Sequence, residues 1–113
     1  MTNPLKGETQ IDLAGDSYKA RLTIDAIMRL EDATGVGVIR MANQMGDADI
    51  SMSHIVHVLH QGLRGGGNDL TLNDVKKLVG SSGVLQAAQA CGAILTAALS
   101  DQSDEGSAEK KDQ

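Results

Sequence analysis

The sequence has almost no aromatic residues. Of its 113 residues one is tyrosine, and none is phenylalanine or tryptophan. A core without aromatic rings must be built from aliphatic side chains, alanine and methionine, and each of these buries less surface than a ring. Proteins that stack single-stranded bases also need aromatic platforms. We therefore expect a domain of modest stability that does not bind single-stranded nucleic acid.

Positive charge is scarce as well. The chain has 10 lysines and arginines against 15 aspartates and glutamates, a net charge of -5. Its largest basic cluster is the pair Lys110-Lys111. Because affinity for a phosphate backbone is built from lysine and arginine, we expect no nucleic-acid partner.

Cysteine, proline and long apolar runs are nearly missing. A single cysteine, Cys91, cannot form a disulfide within the chain, and it is most simply a small core residue. No secretory signal and no apolar run of membrane-spanning length is found in the sequence. These absences favour a soluble protein of a reduced cytosol, with no membrane partner.

Motifs for catalysis and cofactor binding are absent too. The run Gly65-Gly66-Gly67 lacks the preceding strand and the following lysine of a phosphate-binding loop. No serine, threonine or cysteine lies in a nucleophile motif. We expect no enzyme activity, no cofactor and no catalytic residue.

The residues that are present predict one small α+β domain. Residues 1–6 form a short polar lead with the only proline, Pro4, and residues 7–99 form the domain. Residues 100–113 have no apolar residue except Ala108, so that they cannot offset the entropy of ordering, and we expect a disordered tail. The domain should contain a two-stranded antiparallel hairpin followed by a bundle of about five helices.

The hairpin is predicted from alternating apolar and polar residues on both sides of Gly15-Asp16. If these two residues form the turn, Leu13 faces Tyr18 and Asp12 faces Lys19. All apolar residues then share one face. A lone hairpin is marginal in water, so that this face must pack on helices or on another subunit.

Five helices are predicted from apolar residues that recur at helical spacing. The first runs from a Thr23 cap to Gly35, the second over residues 38–45, and the third from Ser51 or Ser53 to residues 65–67. The fourth runs from a Thr71 cap to a break at residues 80–83, and the fifth over residues 84–99. The inward positions are Ile24, Ile27 and Met28 with Leu30 at the edge, then Ile55, Val58, Leu59, Gly62 and Leu63, then Leu72, Val75, Leu78 and Val79, and finally Val84, Leu85, Ala88, Cys91, Ile94, Leu95, Ala98 and Leu99.

Glu31 falls within the apolar stripe of the first helix. A carboxylate there is costly unless it is paired or accepts hydrogen bonds. The simplest partners are free N–H groups at the start of the next helix, after Gly35, or a nearby arginine; an interface charge is the functional alternative. A catalytic role is the weakest possibility, because no second acid or histidine is placed nearby.

Three histidines, His54, His57 and His60, recur every third residue outside the inward face of the third helix. That spacing sweeps about 120° around the helix, so that one metal ion could not readily reach all three. Zinc pairs on helices prefer i and i+4. We favour a solvated or partner-facing polar surface over a metal site.

The last helix is rich in small residues, which permit another helix to approach closely. Packing within the domain is the simpler interpretation, and an oligomer or partner-helix surface is the alternative. The residues that we single out as structural or interface candidates are Tyr18, Glu31, Gly35, Leu63 and Leu95.

Together these segments resemble the small phage tail assembly chaperone family associated with gene transfer agents and related prophages, also described as a tail tube protein family. The resemblance runs from about Asn3 to Leu99. It rests on the opening residues 3–8 (NPLKGE), the hairpin with Gly15 and Tyr18, residues 30–35 (LEDATG), a serine-started helix ending in Gly62-Leu63, the Thr71-Leu72 helix start and the closing alanine-rich helix.

The resemblance implies a non-enzymatic protein of the bacterial host cytoplasm. Such a chaperone would bind the tape measure protein, keep it soluble and help to recruit tail tube subunits. The alternative is a structural tail or connector subunit of the particle, and a homo-oligomer is possible in either case. One hairpin is little strand for a β-rich tube subunit, which favours the chaperone.

Overall fold

A computed structural model describes the backbone of residues 7–111 and the side chains as far as residue 100. The predicted polar lead, residues 1–6, lies outside the described residues. The elements are β1 (Glu8–Leu13), β2 (Asp16–Arg21), α1 (Ile24–Thr34), α2 (Val38–Gly46), α3 (Met52–Gly65), α4 (Leu72–Ser82) and α5 (Val84–Lys111). The α+β architecture, an antiparallel hairpin followed by five helices, is confirmed.

Helix α3 lies at the centre of the fold, in contact with α1, α4, α5 and β2. Its predicted inward face is confirmed, because Ile55, Val58, Leu59, Gly62 and Leu63 are all buried. The hairpin covers the bundle, with β1 packed against α5. The core is aliphatic, as the composition requires, and includes the buried thiol of Cys91.

Close approach of α3 and α5 depends on Gly62. A Cβ atom at this position would lie 2.9 Å from Cδ1 of Ile94. The small residue that lets the two helices meet is therefore on α3, and the alanine-rich α5 contributes the larger side chain here. On α5 itself Ala87, Ala90 and Ala98 are buried, so that packing within the domain accounts for part of its small-residue surface.

The predicted hairpin register is wrong by two residues. The turn is Ala14-Gly15, with φ of 53° and 85°, so that Leu13 pairs with Asp16 and Ile11 pairs with Tyr18. Glycine at the second position of such a turn supplies the positive φ, as in the favoured two-residue hairpin loops. A shift of two residues leaves each side chain on its own face, which is why the apolar pattern fits both registers.

Cross-strand contacts match the observed register. Ser17 pairs with Asp12, and its hydroxyl donates a hydrogen bond of 2.6 Å to the Asp12 carboxylate. Lys19 lies opposite Gln10, and its ammonium group is 3.7 Å from the Glu8 carboxylate. Asp12 and Lys19, which were expected to face each other, are therefore not partners.

The predicted helix caps are confirmed. The Thr23 hydroxyl accepts from the Ala26 N–H at 3.0 Å, and Gly35 ends α1 in the left-handed conformation with φ of 73°. Thr71 and Asp74 form a reciprocal capping box at the start of α4. Of the two candidate serines, Ser51 caps α3, and Gly83 ends α4 with φ of 95°.

The predicted inward face of α1 is confirmed at Ile27 and Leu30 and wrong at Ile24 and Met28. Ile24 and Met28 are 67% and 58% exposed, whereas Ala26, Ile27 and Leu30 are buried. The buried face is rotated toward Ala26 and Leu30, which are four residues apart and therefore on one side of the helix. Glu31 thus lies at the border of the core and not within it.

Helix α5 also differs from the prediction at both ends. Val84 and Leu85 were expected to be inward but are 62% and 73% exposed. The backbone helix continues to Lys111, beyond the predicted end at Leu99. The disorder expected for residues 100–113 stays a prediction.

The end of α3 and the residues just after it are packed against β2. A Cβ atom at Gly65 would overlap the carbonyl oxygen of Arg21, and one at Gly66 would overlap that of Lys19. The Asn68 side-chain amide donates to the Lys19 carbonyl at 2.7 Å and to the Leu63 carbonyl at 3.1 Å. The glycines are therefore needed for the close approach of two backbones.

We expect Gly66→Ala to lower the free energy of unfolding by about 1–3 kcal/mol or more, because the neighbour that must move is backbone. Gly66 has φ of -85°, which alanine also adopts. A loss of stability would therefore come from the overlap of the new Cβ atom with the Lys19 carbonyl and not from backbone strain. Gly80→Ala in α4, where a Cβ would meet nothing within 4 Å, serves as the control and should gain about 0.5–1 kcal/mol. Urea denaturation measures both, and equal effects would contradict the packing described here.

Candidate interaction surface

Three large apolar side chains are exposed on α1 and α2. Ile24 and Met28, one helical turn apart, share a face of α1, and Ile39 in the first turn of α2 is 64% exposed. We call these three residues the α1–α2 surface. Large aliphatic side chains left in water in this way are typical of surfaces that bind another chain.

Glu31 fixes the corner between α1 and α2. Its Oε2 atom accepts a hydrogen bond of 2.9 Å from the N–H of Val38, the first residue of α2. This is the predicted role among the alternatives considered, acceptance from a free N–H at the next helix start. This hydrogen bond ties the start of α2 to α1 and so helps to set the position of α2. Ile39 is the residue after Val38.

The Thr34 side chain tightens the same corner. Its hydroxyl donates to the Leu30 carbonyl at 2.8 Å and accepts from the Val36 N–H at 3.2 Å. Gly35 supplies the left-handed residue that turns the chain. The α1–α2 surface is therefore held by local hydrogen bonds, although its apolar side chains are open to solvent.

A second concave region lies between α3 and α4. It has a volume of about 390 Å³ and is lined by Met52, Ser53, Val56, His57, Leu72 and Lys76. Met52 is 37% exposed, and methionine can adapt its shape to different partners. The two basic side chains at this groove contrast with the acidic charge of the whole chain.

The three histidines are half-buried and do not act together. His60 Nε2 contacts the Leu70 carbonyl oxygen at 3.1 Å, which ties α3 to the segment before α4. Burial lowers the pKa of His60, against the raising effect of that contact. Within the side chains that the structure describes, no group of three His, Cys, Asp or Glu residues could hold a metal ion.

The five candidate residues do not meet at one site. Leu63 and Leu95 are buried in the core, where they stabilise the fold and cannot touch a partner. Tyr18 is half-buried at the edge of the core, on the hairpin. Only Glu31 and Gly35 lie together, at the corner that supports the α1–α2 surface.

Sequence reasoning missed the exposed residues of that surface. Apolar periodicity placed Ile24 and Met28 in the core because it cannot distinguish a core stripe from an apolar stripe that faces solvent. A usable signal was Glu31 itself. Around the helix axis this carboxylate falls between Ile27 and Ile24, and so indicates the border between the buried and the exposed apolar residues.

Cys91 has no accessible reactive group. Burial raises the pKa of its thiol to about 12, so that the thiolate is not formed near neutral pH. Its place in the core matches the expectation from its apolar neighbours on α5. The only cysteine of the chain therefore acts as a packing residue.

These features define a small α+β protein whose distinctive surface is apolar and open to solvent. No helix in the described part of the chain combines the length and apolarity needed to cross a membrane. No curated protein and no solved structure matches the chain.

A family model does match, over residues 6–101, nearly the whole described domain. The chain belongs to this family, which is described as "Phage tail tube protein, GTA-gp10". The protein is therefore related to the tails of phages and gene transfer agents.

We predict that Glu31→Ala will lower stability by about 1 kcal/mol, because the Val38 N–H loses its acceptor. Glu31→Gln keeps an oxygen at the same reach and should lose less. Thermal or urea unfolding of the two variants beside the wild type makes the comparison. An alanine variant as stable as the glutamine variant would show that the contact to α2 contributes nothing.

The stability of the protein should fall as the pH is lowered from 7 toward 5. The pKa of His60 is lower in the folded state than its ordinary value, so that the unfolded state binds more protons. Acid therefore stabilises the unfolded state relative to the folded one. The contribution of neutral His60 is present above the unfolded pKa and is lost as the pH falls through the folded one. His60→Gln should flatten the measured dependence of the unfolding free energy on pH; an unchanged slope would refute this assignment.

Proposed function

We propose that this protein is a tail assembly chaperone. It binds the tape measure protein in the cytoplasm of the bacterial host and assists the assembly of tail tube subunits around it, without catalysing a reaction. The observation that carries this proposal is the α1–α2 surface: three large aliphatic side chains are exposed on α1 and α2 of an acidic chain from a tail-related family.

Physical chemistry connects this surface to a helical partner. An amphipathic helix binds by laying its apolar residues against exposed apolar side chains of another protein. Ile24, Met28 and Ile39 present such side chains, and Met28 adapts to different partner residues. The net charge of -5 keeps the free protein soluble and opposes its self-association while the surface waits for a partner.

The fold favours a chaperone over a building block of the tube. The described residues contain one sheet of two strands, whereas a tube subunit needs enough strands to continue a β-rich ring. A structural tail or connector subunit is the second candidate, because the family description itself names a tail tube protein.

Mass spectrometry of purified particles separates these two functions. A chaperone should be missing from mature particles, whereas a ring subunit should be present in several copies beside the tube protein. Detection at a ring's stoichiometry would replace the proposal with the structural role.

Co-expression with a tape measure fragment tests the surface. The double variant Ile24→Gln and Met28→Gln should stay folded, since both side chains are exposed, and should weaken binding of the fragment by about tenfold or more. Arg29→Gln, exposed on α1 about 100° from Met28, is the matched control and should bind like the wild type. Two results would contradict specific binding at this surface. One is that the double variant recovers as much of the fragment as the wild type does. The other is that the wild type recovers as much of an unrelated long helical protein as of the fragment.

A further inference from the structure

The two outer edges of the hairpin have different surroundings. A two-residue loop closes on a hydrogen-bonded pair, here Leu13 and Asp16, and hydrogen-bonded pairs alternate along the two strands. The main-chain groups of Lys19 and Arg21 therefore point away from β1, and those of Gln10 and Asp12 point away from β2. Each set forms one outer edge of the sheet.

The β2 edge is closed by the domain itself. The Lys19 carbonyl accepts from the Asn68 amide, and Gly65 and Gly66 lie against the carbonyls of Arg21 and Lys19. No further strand can approach this edge without displacing the end of α3. The closure shows that the edge of β2 is protected in the way that natural proteins protect exposed strands.

The β1 edge is not closed in this way. In the described part of the chain, the main-chain N–H groups of Gln10 and Asp12 make no hydrogen bond to other backbone atoms outside the hairpin, and both side chains are exposed. An edge strand with outward N–H and C=O groups is a template for one more strand.

A groove of about 190 Å³ runs beside this edge. Residues Gln10, Ile11 and Asp12 form one wall, and α5 forms the other with Gln86, Gln89, Ala90 and Ala93. The two alanines leave room for small side chains, and the two glutamines offer amide groups that can both donate to and accept from a main chain. An extended segment added to β1 would direct alternate side chains into this groove.

The charges of β1 argue against a second copy as the added strand. If two β1 strands paired antiparallel in full overlap about Gln10, Glu8 of each copy would lie directly opposite Asp12 of the other. Like charges directly opposite each other destabilise a sheet. Of these two carboxylates, Asp12 is exposed, whereas Glu8 is 12% exposed and lies 3.7 Å from the Lys19 ammonium group. Asp12 therefore favours a partner strand with a lysine or arginine opposite it.

We propose that the outer edge of β1 binds an extended segment of a partner protein by strand addition, with small aliphatic residues facing α5 and a basic residue facing Asp12. This inference deepens the proposed function, and rests on it only for the identity of the partner. The strand-addition surface and the α1–α2 surface involve different elements, which allows one chaperone molecule to hold two polypeptide segments.

Short labelled peptides test the proposal on the full chain by fluorescence anisotropy. A peptide of alternating lysine and valine should bind, and one of alternating glutamate and valine should not. Gln10→Pro removes the outward N–H at a position where an edge strand tolerates proline, and should weaken binding of the lysine peptide by about tenfold or more. Gln10→Ala, which keeps the N–H, should weaken binding much less than Gln10→Pro.

A second variant leaves the hairpin unchanged. Ala93→Leu narrows the groove from the α5 side. It should weaken binding of the lysine peptide about as much as is expected for Gln10→Pro, and it tests the groove even if Gln10→Pro fails to fold. Wild-type affinity in Ala93→Leu, or equal binding of the two peptides, would overturn the proposal. A wild-type dimer that Gln10→Pro converts to a monomer would also overturn it, in favour of a second copy at this edge.

The peptide assay is independent of the tail assembly function. If the lysine peptide fails to bind while the tape measure fragment still co-purifies, strand addition is refuted and the chaperone function stands. If the peptide binds at β1 and no tail protein co-purifies, the edge is confirmed and the assigned function is wrong.

Discussion

The contact between the end of α3 and the backbone of β2 is the constraint on which the rest of the structure depends. A two-stranded hairpin is marginally stable in water by itself. Here it is held because Gly65 and Gly66 have no side chains, so that their backbone reaches the carbonyl oxygens of Arg21 and Lys19, and Asn68 adds a hydrogen bond. The apolar side chains of β1 can then pack on α5 and complete the core.

This same contact makes the two edges of the sheet unequal. One edge is occupied by the protein's own α3, and the other lies beside an open groove on α5. The negative charges of β1 oppose pairing of the open edge with another copy. The aliphatic side chains exposed on α1 and α2 form the second surface, which we propose binds a partner helix. Both surfaces belong to a member of a phage tail tube protein family.

The sequence predicted the features that depend on neighbouring residues. The caps at Thr23 and Thr71, the left-handed stop at Gly35 and the contact of Glu31 with the start of α2 are all formed within about seven residues of chain. The inward face of α3 was predictable for a related reason. A central helix contacts neighbours on several sides, and its apolar pattern has only one orientation that buries all of it.

Features that depend on distant residues were not predictable. Two hairpin registers put the same side chains on the same face, and only the turn geometry at Ala14-Gly15 selects between them. The glycines at the end of α3 could not be interpreted, because the strand that requires them lies more than 40 residues earlier in the chain. An exposed apolar stripe on α1 has the same periodicity as a buried one, and only the positions of the other elements distinguish them.

Amide hydrogen exchange on the free protein and on its complex with a co-expressed tail partner tests the central claim most directly. In the free protein, the amides of Ile11 and Tyr18, which pair within the hairpin, should be protected, and those of Gln10 and Asp12 should exchange rapidly. In the complex, Gln10 and Asp12 should become protected as well. Protection of these two amides in the free protein, or rapid exchange of both in a stable complex, would contradict an open β1 edge that receives a partner strand.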